Sequence, residues 1–238
     1  TGTDMTYTAT DKNGGKSEGT VNFLRATVDG EITGGAGNDI LIGTPGKDKI
    51  DGKDGDDVLI SYGGADEIFG GAGHDILVLN SLTQGKIDLG DDDLGGKIST
   101  SDAGDIVALA EGENMQLTFA VNALKYAGVE TVSMLETHGG HGVNAFTVGA
   151  SSIKFMSDHT LDPNGLFPEG AAIRVDGDVV DQLYLSIMQD GGTWVPVGLA
   201  DGYNFFAHEK IAGNPSSADA YVIVQVGVSV TLNADGPP

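Results

Sequence analysis

Residues 34–78 divide without insertion into five units of nine, GGAGNDILI, GTPGKDKID, GKDGDDVLI, SYGGADEIF and GGAGHDILV. The sixth position is always aspartate, at Asp39, Asp48, Asp57, Asp66 and Asp75, and the eighth is always aliphatic, at Leu41, Ile50, Leu59, Ile68 and Leu77. Few folds accept that register. Six glycine-rich residues can turn through positive φ without a Cβ penalty, and the three that remain suffice only for a short strand. One core side chain per strand cannot bury itself alone, so the units must stack.

If two units make one coil, successive aspartates fall on opposite edges, and carboxylates eighteen residues apart meet in adjacent coils about 4.7–4.9 Å apart. Asp39, Asp57 and Asp75 then line one edge, Asp48 and Asp66 the other. Bare carboxylates at that spacing repel, and calcium, which takes 6–8 oxygens at about 2.3–2.6 Å from carboxylates and carbonyls, relieves them. The expected fold is therefore all-β, a calcium-binding parallel β-roll. About three ions are expected in the five units, shared by Asp39 with Asp57, Asp57 with Asp75, and Asp48 with Asp66. Further donors come from the turns, at Gly35, Gly37, Gly43, Pro45, Gly52, Asp54, Ser61, Gly63, Gly64, Gly71 and Gly73. Without calcium, a thin core and repelling carboxylates leave such a roll unfolded.

A net charge of −23, from 35 acidic against 12 basic residues, argues against nucleic acid and against an anionic membrane as partners. The absence of cysteine leaves metal as the staple available to a chain outside the cell. No apolar run approaches the roughly 18 residues of a membrane span. A start at Thr1 reads as a piece of something longer, and Leu232 to Pro238 do not resemble an export signal, so continuation of the chain is expected.

Three parts are expected. In residues 1–28, period-two alternation around Asp11–Gly15 reads as a β-hairpin. Residues 29–99 form the roll and its cap, with 28–33 a degenerate unit that places Ile32 in the core register. Residues 100–238 read as a β-rich module, either sandwich-like or an irregular β-solenoid, with strands at 105–109, 115–119, 128–132, 145–148, 153–155, 172–175, 182–187, 203–206 and 221–231. A short helix is expected near Asn122–Ala127. The outward residues of the odd units, Ile40, Ile42, Val58, Ile60, Ile76 and Val78, make an aliphatic face that the C-terminal module or the hairpin is expected to cover. The even units turn out Lys49, Asp51, Glu67 and Phe69 instead.

Other clusters admit two readings each. Asp176, Asp178 and Asp181 form either a further calcium site or a solvated turn. Asp88, Asp91, Asp92 and Asp93 either ligate the last turn of the roll or make an acidic loop, and Asp11 with Asn13 is a calcium turn or a hairpin tip. His138 and His141 lack a third ligand, so surface residues are the simpler reading beside a zinc pair. Trp194, Tyr203, Phe205 and Phe206 read as core and rim aromatics, with a carbohydrate platform as the alternative. There is no HExxH, GxSxG or cysteine nucleophile, and no enzymatic activity is expected.

The repeats resemble those of the repeats-in-toxin (RTX) family. Residues 1–22 resemble the last strands of the immunoglobulin-like extender domains of giant bacterial adhesins. The segments SDAGDIVALAEGENMQLTF, VETVSMLETHGGHGVNAFTV, IRVDGDVVDQLYL, DGYNFFA and ADAYVIVQVGVSVTL resemble the module that follows the repeats in those adhesins. The resemblance implies type I secretion, folding at the bacterial cell surface as calcium rises, and a role in attachment or biofilm. A glycan- or peptide-binding adhesin domain and the tail of a secreted hydrolase are the alternatives.

Overall fold

The structure, a computed structural model, describes residues 2–10, 16–26, 30–79, 83–91, 97–98, 104–109, 116–119, 126–135, 143–157, 160–161, 171–187 and 190–234. Strands dominate it. In chain order they are β1 (Gly2–Thr10), β2 (Lys16–Arg25), β3 (Glu31–Thr33), β4 (Asp39–Ile42), β5 (Lys49–Asp54), β6 (Val58–Ile60), β7 (Gly64–Ala72), β8 (Ile76–Leu79), β9 (Thr83–Asp91), β10 (Lys97–Ile98) and β11 (Ile106–Leu109). There follow β12 (Gln116–Phe119), β13 (Tyr126–Ala127), β14 (Thr131–Ser133), β15 (Ala145–Gly149), the helix α1 (Ala150–Met156), β16 (Thr160–Leu161), β17 (Ala171–Asp176), β18 (Gln182–Ser186), β19 (Thr193–Ala200), β20 (Tyr203–Glu209), β21 (Ala218–Gln225) and β22 (Ser229–Ala234).

The chain winds as a parallel β-roll between two walls. One wall is a single long sheet in the order β1-β2-β4-β6-β8-β11-β14-β17-β21-β20-β19. The other is two shorter parallel sheets, β3-β5-β7-β9-β13 and β12-β15-β18-β22. In the repeats each coil spans two units, because β4 pairs with β6 and β6 with β8, eighteen residues on each time. The constant aliphatic position makes the core. On the long wall, in-register pairing stacks Leu24, Leu41, Leu59, Leu77, Val107, Val132, Val175 and Val224 in one column. On the facing wall Ile32, Ile50, Ile68 and Ile87 stack likewise. All but Leu24 are buried.

That column settles the architecture after residue 79. Of the two forms the strand pattern allows, sandwich and solenoid, the C-terminal half has the solenoid, since β11, β14, β17 and β21 continue the wall that the repeats began. The cover expected over the outward aliphatics takes a different form. Both the hairpin and the C-terminal half extend the same sheet edge to edge, through β2 with β4 and β8 with β11. Ile40, Ile42, Val58, Ile60, Ile76 and Val78 are half-buried along this ladder. Across the facing wall, Glu31, Lys49, Glu67 and Lys86 alternate in charge from strand to strand, with Lys49 Nζ 2.7 Å from Glu31, a cross-strand pairing that supports the register.

Three local expectations are corrected. Residues 153–155 lie in α1, where Ala150, Ile153 and Met156 are buried at helical spacing and Phe155 points out. The helix expected near 122–127 is strand at Tyr126–Ala127, and 122–125 lie outside the described residues. The run 221–231 is two strands on opposite walls, broken at Gly227 with φ +123°. β19, not anticipated, carries Pro196 and Gly198 at a register shift on the edge of the sheet, where a proline costs no ladder bond.

Candidate metal centre

The repeat aspartates are all buried, at 0–1% exposure. Their placement follows from the turn. Asp39, Asp48, Asp57 and Asp75 stand where a glycine-rich turn passes into a strand, and Asp66 lies two residues into β7, so the carboxylates look along the edges toward the neighbouring coils. Backbone N–H groups donate to the carboxylate one coil on: Asp39 N to Asp57 Oδ1 at 2.7 Å, Asp57 N to Asp75 Oδ1 at 2.9 Å, and on the other edge Asp48 N to Asp66 Oδ1 at 2.9 Å. The three pairs expected to share ions are therefore neighbours in the structure.

The second carboxylate oxygens divide the repeats into two kinds of turn. Asp39 Oδ2 accepts from Gly35 N at 2.5 Å, and Asp48 Oδ2 accepts from Thr44 N and Thr44 Oγ1 at 2.6 and 2.9 Å, so these two turns close on themselves. In the next three units the second turn residue takes positive φ, at Lys53 (+90°), Tyr62 (+59°) and Gly71 (+127°). Oδ2 of Asp57, Asp66 and Asp75 is there buried with no hydrogen-bond partner. A buried anionic oxygen without a donor is costly, and a cation is what these three fit.

Backbone carbonyls face the same points. A methyl group added at Gly52 would collide with both Asp57 Oδ2 and the Gly70 carbonyl, and one at Gly34 with Asp39 Oδ2 and the Gly52 carbonyl. Oxygens crowding one methyl-sized volume are close enough to share an ion with bonds of about 2.3–2.6 Å. At Gly43 the same pair is looser, Asp48 Oδ2 and the Ser61 carbonyl each standing 3.0 Å from such a methyl. Among the described residues no three carboxylate or imidazole groups converge on one metal position, so the donor set must be mostly carbonyl, a hard-oxygen set that suits calcium rather than zinc.

Electrostatics agrees. Burial pushes the Asp57 carboxyl up to about 7, its backbone hydrogen bond opposing and the Asp75 and Asp39 charges adding. Asp66 and Asp75 are pushed up to about 6, again first by burial. Without metal, Asp57 is thus held near its protonation threshold at neutral pH, with Asp66 and Asp75 somewhat below it.

The other turn residues named above are distributed unequally. Gly63, Gly64, Gly71 and Gly73 adopt positive φ and Ser61 is buried, whereas Pro45 and Asp54 are exposed and a methyl at Gly37 would meet nothing. Asp176, Asp178 and Asp181 do not converge. Asp176 pairs with Arg174 through Nε and Nη2 at 2.9 and 2.8 Å, Asp178 accepts from Val180 N at 2.8 Å, and Asp181 accepts from Asn144 N at 3.2 Å and Asp178 N at 2.9 Å. Asp181 is a roll aspartate by geometry, bonding one coil back and into its own turn, and burial raises its carboxyl. Asp88 and Asp91 lie on β9, while Asp92, Asp93, Asp11, Asn13, His138 and His141 lie outside the described residues. Trp194 is core, its ring 5.2 Å from His208 and its Nε1 donating to the Ser186 carbonyl at 3.0 Å. Phe205 and Phe206 are buried and Tyr203 receives the Arg174 guanidinium at 4.8 Å, so these four form no open aromatic platform.

The spacing alone did not reveal two further members of the edge column. Asp75 N donates to Asp105 Oδ1 at 2.7 Å, and Asp105 N to Glu130 Oε2 at 3.1 Å. Their signal is present in Asp105-Ile-Val and Glu130-Thr-Val, an acid two residues before a core aliphatic, but the separations of 30 and 25 residues conceal the period.

A family model of the RTX calcium-binding nonapeptide repeat matches in four copies, over residues 31–48 and 42–77. No curated protein and no solved structure matches the chain. Residues 31–77 are RTX calcium-binding repeats, and the wall they start carries the rest of the fold.

Proposed function

We propose that the chain is a calcium-stabilised, non-catalytic domain of a bacterial surface adhesin, secreted unfolded and folded outside the cell by calcium. The observation that carries this reading is the set of three buried oxygens, on Asp57, Asp66 and Asp75, that have no donor, those of Asp57 and Asp75 facing backbone carbonyls as well. They make calcium a component of the folded roll, and binding free energy is then folding free energy. The attachment and biofilm role rests on the likeness of residues 1–22 and of the C-terminal segments to adhesin modules. The proposed localisation is the bacterial surface within a longer chain, with a glycan or peptide as partner for loops of the C-terminal half. Circular dichroism during calcium titration, followed by chelation, tests the central claim: β signal should appear with calcium and vanish on chelation. A fold indifferent to chelator would sink it.

A further inference from the structure

Past residue 77 the repeat spacing ends, but the geometry of its turns does not. At the second turn position Lys53, Gly71, Gly90 and Gly128 stack, with φ of +90°, +127°, +104° and +60°. A methyl on Gly71 would strike the Lys53 carbonyl, one on Gly90 the Gly71 carbonyl, and one on Gly128 the Gly90 carbonyl, so the same left-handed turn recurs in four successive coils. At the first position the order Gly34, Gly52, Gly70 continues with Leu89, whose carbonyl crowds Gly70 together with Asp75 Oδ2, as the Gly70 carbonyl crowds Gly52 together with Asp57 Oδ2. At the sixth position Asp105 accepts the Asp75 N–H, as Asp75 accepts that of Asp57. Leu89 and Asp105 are sixteen residues apart where Gly70 and Asp75 are five, and this insertion hides the unit from any nine-residue pattern.

We infer that a calcium ion binds where the last repeat meets the next coil, held by Asp75 Oδ2, the Leu89 carbonyl and Asp105. This rests on the calcium reading of the repeats but adds a site whose other half lies outside them. The independent pointer is Asp75 itself, 0% exposed, with Oδ2 lacking a hydrogen-bond partner and aimed at the Leu89 carbonyl. Asp105 is also 0% exposed, so two acids lie buried a coil apart, an arrangement that a bound cation would compensate when both are ionised. Beyond Glu130 the same column becomes Ile173 and Val222, both fully buried, so the polar run along this edge stops there. The ion would thus join the calcium-dependent repeats to the coil from which the C-terminal half continues.

The test uses the full chain. Ions bound are counted by native mass spectrometry and by isothermal titration for wild type, for Asp105→Asn and for the repeat control Asp57→Asn. Asparagine keeps an acceptor for the Asp75 N–H and removes the charge. Asp105→Asn should bind one ion fewer and keep the others. An unchanged ion count and affinity profile overturns the inference while leaving the repeat reading intact, whereas wild type that takes up no calcium overturns both. Should that variant fail to fold, Asp105→Glu decides: it keeps the charge but displaces it, so one ion should bind more weakly while the repeat ions keep their affinity, and an affinity profile equal to that of wild type overturns the site.

Discussion

Removing calcium should make the stability of this chain fall as pH rises, the reverse of the usual behaviour of carboxylates. An aspartate whose carboxyl titrates higher folded than unfolded holds more protons in the folded state, so stability drops as pH climbs from the unfolded value through the folded one. Here the window opens near 3.8 and closes at about 6 for Asp66 and Asp75 and about 7 for Asp57. At about 1.4 kcal/mol per unit, reduced for water at the open edge and for coupling among the three, the loss is on the order of 5 kcal/mol. A domain holds only ~5–15 kcal/mol in total. Metal-free protein, stripped on a chelating resin, should therefore show β signal and a cooperative melt at pH 4.5 and lose both by pH 7.5. Saturating calcium should reverse the trend, because the ion binds only ionised carboxylates. Metal-free protein equally folded at both pH values would show that the buried column carries no such penalty, and the argument from the orphaned oxygens would fail.

Other perturbations separate the parts of the roll. Gly52→Ala places a methyl against Asp57 Oδ2 and the Gly70 carbonyl, costing ~1–3 kcal/mol and raising the calcium midpoint, while Gly37→Ala, facing open space, should leave the midpoint unchanged within error; equal effects would refute the crowded first position. Leu59→Ala, at 0% exposure, should cost ~2–5 kcal/mol in thermal or urea unfolding with calcium present, whereas Ile60→Ala on the half-buried outer face should cost well under half as much. His208→Ala removes a buried ring bridging Asp219 Oδ1 at 2.8 Å and the Gly191 carbonyl at 2.9 Å; a loss of ~2–4 kcal/mol with an unaltered calcium count would mark the C-terminal end as stabilised by packing and hydrogen bonds rather than metal.

Much of this was legible in the sequence, because a nine-residue register fixes both which side chains enter the core and which carboxylates meet. Leu41, Leu59 and Leu77 could be assigned to one wall and Ile50 and Ile68 to the other from spacing alone. Asp105 and Glu130 could not, since insertions change the spacing while the hydrogen-bonded register absorbs them, and register is a property of paired strands rather than of one strand. The division of the repeats into self-closed and open turns was hidden for a similar reason. It depends on the φ of Lys53 and Tyr62, residues for which a left-handed conformation is not the default. In α1 a three-residue alternation, Ile153-Lys154-Phe155, was too short to distinguish strand from helix, and burial of Ala150, Ile153 and Met156 decided it.

A stack of interchangeable coils has no intrinsic length, and a bare parallel edge at either end invites a second molecule to add the next rung. The long sheet described above ends in reversed strands at both limits: β1 runs against β2, and β20 and β19 run against β21 and each other. The reversed strands occupy the edges of the outermost parallel strands of this sheet, β2 and β21, so these hairpins act as caps against the addition of another coil there. Deleting residues 190–217 should expose β21, and the expected product is a concentration-dependent filament, visible by light scattering, rather than a shorter monomer.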